Sequence, residues 1–137
     1  MKNYFFTYGT LQRGGALHNY IIDTNYEGRG RTEPVYELRS GGDFPAMVSG
    51  SNKIEGDVFS LDNENNFEEL IRFLDRVENV PYLYTRQTIP VTLQDEQSIL
   101  AQAFVANEHL FQNKNSSRIS EVSERVQTWL VDRTASV

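Results

Sequence analysis

The spacing of apolar and polar positions divides the chain into short extended runs around one clear helix. Phe67, Leu70, Ile71 and Leu74 recur at i, i+3, i+4 and i+7, the pattern of a single apolar helix face. This predicts a helix over Glu64–Val77, with Asp62 or Asn63 as its cap and acidic residues early, where the macrodipole favours them. Upstream, residues 3–8 (NYFFTY) read as a buried first strand. Residues 26–32 and 35–39 read as two strands interrupted at Pro34, and residues 44–48 and 54–61 as two further extended runs. Downstream, residues 83–93 and 99–105 form a strand pair joined by a polar hairpin connection, with Pro90 marking an edge or a bulge. Residues 107–118 read as an exposed loop, and Ile119, Val122, Val126, Trp129 and Leu130 as a final amphipathic helix. Six or so strands with two or three helices and no β-α-β alternation favour an α+β fold with a mixed, mostly antiparallel sheet. No internal repeat is visible, so residues 1–137 are expected to form a single domain.

Composition narrows the chemistry. The 137 residues include no cysteine, which excludes disulfides, thiolate zinc sites and thiol nucleophiles together. The two histidines, His18 and His109, are far apart in sequence, so no metal site is expected. A formal charge of −6 argues against a nucleic-acid partner, which requires clustered Lys and Arg. No apolar run approaches the roughly 20 residues of a membrane helix, and no secretory pattern opens the chain. The expectation is a cytoplasmic protein with no membrane or nucleic-acid partner.

Two places carry candidate chemistry. The first is the turn after the first strand, where Gly9-Thr10-Leu11 leads into the glycine-bearing Gln12-Arg13-Gly14-Gly15 and a short helix through Ala16, Leu17, Tyr20 and Ile21. A strand, a glycine turn and a helix start can gather backbone N–H groups as a receptor for an anion, although an ordinary strand-to-helix turn has the same composition. The second is Glu78. At about 100° per residue it falls about 20° from Phe67 and Ile71 around the helix axis, so a helix that runs that far turns its carboxylate toward the core. Burial there and the negative helix end both raise its pKa, which suits a group exchanging protons near neutral pH. A helix frayed at Asn79 and Pro81 would instead leave Glu78 in solvent. Asp75 is the rival carboxylate, about 60° away. Glu55, Asp57 and Asp62 are assigned to a solvated strand edge and a helix cap.

Four segments then stand in order: YGTL (8–11), GDFPAMV (42–48), IEGDVFSLD (54–62) and LDRVENVPYLYTR (74–86). Together they resemble the gamma-glutamylcyclotransferase-like family, which includes the gamma-glutamylamine cyclotransferases and the AIG2-like proteins. The resemblance covers roughly residues 4 to 106. It implies a small mixed, mostly antiparallel β-barrel flanked by two to three helices, with a cavity at the barrel mouth. It also implies that Tyr8, Gly9, Thr10 and Leu11 bind the alpha-carboxylate end of a gamma-glutamyl group through backbone amides. The family's LDxxE glutamate corresponds to Glu78, and the tyrosine and arginine of its YxR element to Tyr84 and Arg86. Tyr84 is expected to contact the substrate, lining the pocket or donating to the ligand, the alternative being a core tyrosine with its hydroxyl bonded; Arg86 either touches ligand or pairs with Asp75. Phe44 and Pro45 either wall the cavity or plug it. The family usually has Gly after the glutamate, where this chain has Asn79.

The implied reaction needs no cofactor: the substrate's alpha-amine attacks its own side-chain amide, closes a five-membered ring to 5-oxoproline and expels an amine. One carboxylate of raised pKa can serve as base and then acid. No covalent intermediate is required, which fits a chain without cysteine and without a GxSxG elbow. The expected site is a free pocket with room for a glutamyl group and a Glu78 that no Arg or Lys neutralises. The alternative is a binding module of the same fold that holds a small carboxylated metabolite without converting it.

Overall fold

The computed structural model describes residues 2–15 and 17–131. Its strands are β1 (Asn3–Thr7), β2 (Asn25–Thr32), β3 (Tyr36–Ser40), β4 (Pro45–Ser49), β5 (Lys53–Leu61), β6 (Tyr84–Leu93), β7 (Ser98–Ala106), β8 (Ile119–Ser123) and β9 (Val126–Trp129). The sheet runs β1-β7-β6-β2-β5, and pairing of β1 with β5 closes those five strands into a barrel. Neighbours are antiparallel except β1–β7 and β5–β9. The fold class read from the sequence, α+β around a mixed and mostly antiparallel barrel, is the one observed. Pro90 sits just outside the stretch of β6 (Val91 to Leu93) that pairs with β2, where its missing N–H costs no ladder bond.

Alternation along each barrel strand sends one set of side chains into the lumen: Phe6 from β1, Val58 from β5, Ile89 and Val91 from β6, and Ala101 and Ala103 from β7. The opposite faces of β1 and β5 carry Phe5 and Phe59, stacked at 5.5 Å between ring centroids. Helix α1 (Glu64–Val77) covers them with Phe67, Ile71 and Leu74, the face its spacing predicts. Asn63 caps it, its side chain accepting the Asn66 N–H at 3.0 Å. The β3–β4 hairpin lies over the barrel end where β1 and β7 finish, with Met47 and Val48 buried.

The carboxy-terminal region departs from expectation. Residues 119–129 form the β8–β9 hairpin, not a helix. Ile119, Val122, Val126 and Trp129 fit helical spacing, but Val126, Thr128 and Trp129 are β-prone and β5 offers an open edge. There β9 pairs in parallel with Lys53 to Glu55 and buries Trp129. Arg125, at φ 58°, makes the reversal. Among the described residues the barrel is therefore flanked by one α-helix and two single-turn 3-10 helices, His18–Ile21 and Glu108–Leu110. The first is shorter than the helix read from the sequence, whose Ala16 lies outside the described residues. The second, with buried Phe111 after it, interrupts the exposed loop read over 107–118.

Candidate active site

Strand β1 ends at Thr7, and the chain turns away through Tyr8, Gly9, Thr10 and Leu11. Gly9 is required by packing: a Cβ there would lie 2.8 Å from Pro45 Cγ. The turn is closed by Gln12 N–H donating to Gly9 O at 3.0 Å and Leu17 N–H donating to Thr10 O at 2.8 Å. Among the described residues, the N–H groups of Gly9, Thr10 and Leu11 have no hydrogen-bond partner. Three idle amides on one turn are free donors, the groups that the anion receptor suggested by this composition would need.

Glu78 caps the carboxy-terminal end of α1, and its backbone N–H still donates to Leu74 O at 2.8 Å. The helix therefore does not fray before it. Asn79 adopts φ 56°, and the next two amides return to the helix, Asn79 N–H to Arg76 O at 3.2 Å and Val80 N–H to Asp75 O at 2.9 Å. This is a Schellman ending, whose left-handed position is usually glycine and sometimes asparagine. Asn79 can therefore replace the family's glycine without moving Glu78. The half-buried Glu78 carboxyl makes no ion pair among the described residues, and burial raises it from 4.5 to about 7.

The loop and Glu78 meet in one cavity, lined also by Thr7, Phe44, Pro45, Tyr84 and Phe104. It lies at the barrel mouth where β1 and β7 end and β6 begins. The buried Tyr8 hydroxyl donates to Phe104 O at 2.6 Å and accepts from Met47 N–H at 3.1 Å. The Tyr84 hydroxyl donates to Pro45 O at 2.6 Å. Burial and the neighbouring Glu78 carboxylate both raise the Tyr84 hydroxyl above its ordinary value. Both tyrosines thus face the cavity with their hydroxyls engaged by backbone, so they shape the wall and fix the hairpin beside it. The expected open pocket is a narrow one, about 30 Å³, because Phe44 and Pro45 close against the loop. Admission of a glutamyl-sized ligand requires these walls to part, and half-buried Phe44, next to the Gly41-Gly42 turn, is the most exposed of them.

The rival carboxylate is accounted for. Asp75 accepts Arg86 Nε at 2.8 Å, and Arg86 Nη1 donates to Gln102 Oε1 at 2.8 Å. Neither Asp75 nor Arg86 lines the cavity. Asp57 corrects the sequence reading, since it is fully buried and not on a solvated edge. Its Oδ2 accepts the Arg13 N–H at 2.8 Å, and its Oδ1 accepts from Tyr26 at 3.0 Å and from Arg29 Nη1 at 3.1 Å. Arg29 also donates to Gln12 Oε1 at 2.7 Å, while Gln12 Nε2 holds Tyr8 O at 2.9 Å and Trp129 O at 3.0 Å. Asp57, Arg29 and Gln12 thus anchor the candidate binding loop from behind. Alternation places Asp57 beside Glu55, and the Arg13 turn and the β2 side chains Tyr26 and Arg29 that engage it are invisible to that pattern. Among the described residues no three His, Asp or Glu side chains gather as a metal site. No helix among them is long and apolar enough to cross a membrane.

Comparison with known proteins bears on the family and the fold. The family model for gamma-glutamyl cyclotransferase, AIG2-like, matches residues 5–129. A Vibrio cholerae protein is 35% identical over 89 residues, 65% of this chain and 73% of its own length. A human gamma-glutamylaminecyclotransferase is 34% identical over 103 residues, 68% of this chain but 64% of its own, so the match spans less than two thirds of that protein. The crystal structure of an AIG2-like protein from Mus musculus superposes with a TM-score of 0.65 at 24% identity, covering 93% of this chain and 95% of that one. A barrel with these elements in this order, matched by the family model along nearly its whole length, makes the chain a member of the AIG2-like gamma-glutamyl cyclotransferase family.

Proposed function

We propose that the protein cyclises a gamma-glutamyl compound to 5-oxoproline and releases the free amine, with Glu78 carrying the proton. The observation that carries this reading is a Glu78 carboxyl without an ion pair, raised to about 7, in the same cavity as three loop residues with idle amides. Those amides, on Gly9, Thr10 and Leu11, take the substrate alpha-carboxylate. Ionised Glu78 removes a proton from the alpha-ammonium, and the freed amine attacks the gamma-carbonyl carbon to form the ring C–N bond. The tetrahedral centre collapses, its bond to the leaving nitrogen breaks, and Glu78 returns the proton to that nitrogen. The second proton, which the ring nitrogen sheds as it becomes an amide, passes by the same carboxylate to the departing amine, which leaves as an ammonium. Protons and electron pairs balance without a cofactor. A base with pKa near the working pH is partly ionised at the start and acidic enough to give the proton back. Fixing the amine against the carbonyl supplies the entropic part of the catalysis.

The cavity also bears on the leaving group. Leu11, Phe44, Pro45 and Phe104 are apolar, and no Lys or Arg among the described residues lines it, so a second carboxylate on the leaving amine would find no cationic partner among them. This favours gamma-glutamyl amines over gamma-glutamyl amino acids. The test is 5-oxoproline release from a panel holding both classes. Turnover that prefers the amines, and is lost in Glu78→Gln with the fold intact, is the expected result. Saturable ligand binding without 5-oxoproline from any compound would make the protein a binding module of the same fold.

A further inference from the structure

We propose that Thr7 is a substrate contact, its hydroxyl hydrogen-bonding the amide group of the bound gamma-glutamyl moiety; this rests on the site being a gamma-glutamyl pocket. Thr7 closes β1 opposite Asp57 and shares a strand face with Phe5, so it lies one step from the α1 core toward the cavity it lines. It is 4% exposed, and its Oγ1 is the one buried side-chain oxygen or nitrogen without a hydrogen-bond partner among the described residues. A buried hydroxyl left unpaired is a net cost to the folded protein. Valine has the same branched shape and suits a strand equally well, without that cost. The hydroxyl therefore contributes nothing to the empty fold that valine would not. Its neighbours across the cavity are the groups that receive the substrate: Glu78 and the turn of Gly9, Thr10 and Leu11.

A gamma-glutamyl group brings three polar centres. With the carboxylate on the loop amides and the amine on Glu78, the gamma-amide is the centre still without a partner. A hydroxyl both donates and accepts, and it meets the amide oxygen as a donor. That oxygen gains charge when the amine attacks, so the same contact strengthens along the reaction.

The test is Thr7→Val, with Thr7→Ser as rescue, each measured by 5-oxoproline formation and by thermal unfolding. The expected result for Thr7→Val is a fall in kcat/KM of about 10- to 100-fold with Tm unchanged or raised, and Thr7→Ser restores most of the rate. A purely structural threonine would move both readouts in the same direction. A kcat/KM within about twofold of wild type, or a loss that follows a lowered Tm and is not rescued by serine, overturns the proposal. Calorimetric binding of 5-oxoproline separates this proposal from the reaction itself. The ring retains the amide oxygen, so Thr7→Val should weaken binding even if the wild type converts nothing. Equal Kd values for wild type and Thr7→Val reject the contact while leaving the reaction standing, and a wild type that neither binds 5-oxoproline nor forms it rejects both.

Discussion

Replacing Glu78 with Gln separates what the carboxylate does for stability from what it does for chemistry. In the folded protein burial holds the carboxyl at about 7, against 4.5 for an ordinary glutamate. A group whose folded pKa is raised favours the folded state while it is protonated. That advantage is complete below about pH 4.5 and is lost as pH rises through about 7. Ionising the buried group at pH 8 therefore costs on the order of 3 kcal/mol. Water at the cavity mouth screens part of this, which leaves about 1 to 3 kcal/mol. Glutamine has nearly the same shape and no charge to desolvate. Glu78→Gln should thus match the wild type at pH 4 and exceed it at pH 8, by about 3 to 10 °C in Tm for a chain of this length. Calorimetric scans of both proteins from pH 4 to 9 give the difference curve, which cancels every other titrating group. Its rise between pH 4.5 and 7 is the signature. A flat difference, or a variant less stable at pH 8, would refute an unpaired buried carboxylate at this position.

Other perturbations test the supports of the site. Asn79→Gly should keep stability and turnover, whereas Asn79→Val, forced to φ 56°, should cost about 1 to 3 kcal/mol in denaturant titration and lower kcat by loosening Glu78. Asp57→Asn removes a fully buried charge facing Arg29 and the Arg13 amide, so a loss of about 3 kcal/mol with a raised KM is expected. An unchanged KM would mean that the loop does not depend on it. Arg86→Met breaks the half-buried pair with Asp75 and the hydrogen bond to Gln102, both outside the cavity; a loss of about 1 kcal/mol with KM unchanged is expected, and a large KM effect would return Arg86 to the ligand.

Much of this architecture was legible because local patterns and tertiary demands coincide. The α1 spacing at Phe67, Ile71 and Leu74 names the face that packs on Phe5 and Phe59, and Asn63 marks its start. The same periodicity misleads at residues 119–129, where a helical count of apolar positions competes with an open β5 edge for the same side chains. Pairing with a distant strand decides that contest, and no local window contains it. The site divides in the same way. Glu78 is announced by its place on the helix face, while Arg29 joins Gln12 across 17 positions of chain and Asp57 across 28. Asp57 alternates like any surface acid until the Arg13 turn and the side chains of Tyr26 and Arg29 engage it. Thr7 shows only as the polar residue sharing a face with Phe5, a signal without meaning until its lack of a partner is seen in three dimensions.

The pH dependence of 5-oxoproline formation tests the role of Glu78 most directly. With a gamma-glutamyl amine as substrate, kcat/KM of the wild type should climb through an acid limb centred near pH 7, the pH at which the Glu78 carboxyl ionises, while Glu78→Gln shows no turnover at any pH. An acid limb near pH 4.5, or a Glu78→Gln variant that still forms 5-oxoproline at the wild-type rate, would contradict a proton carried by this carboxylate.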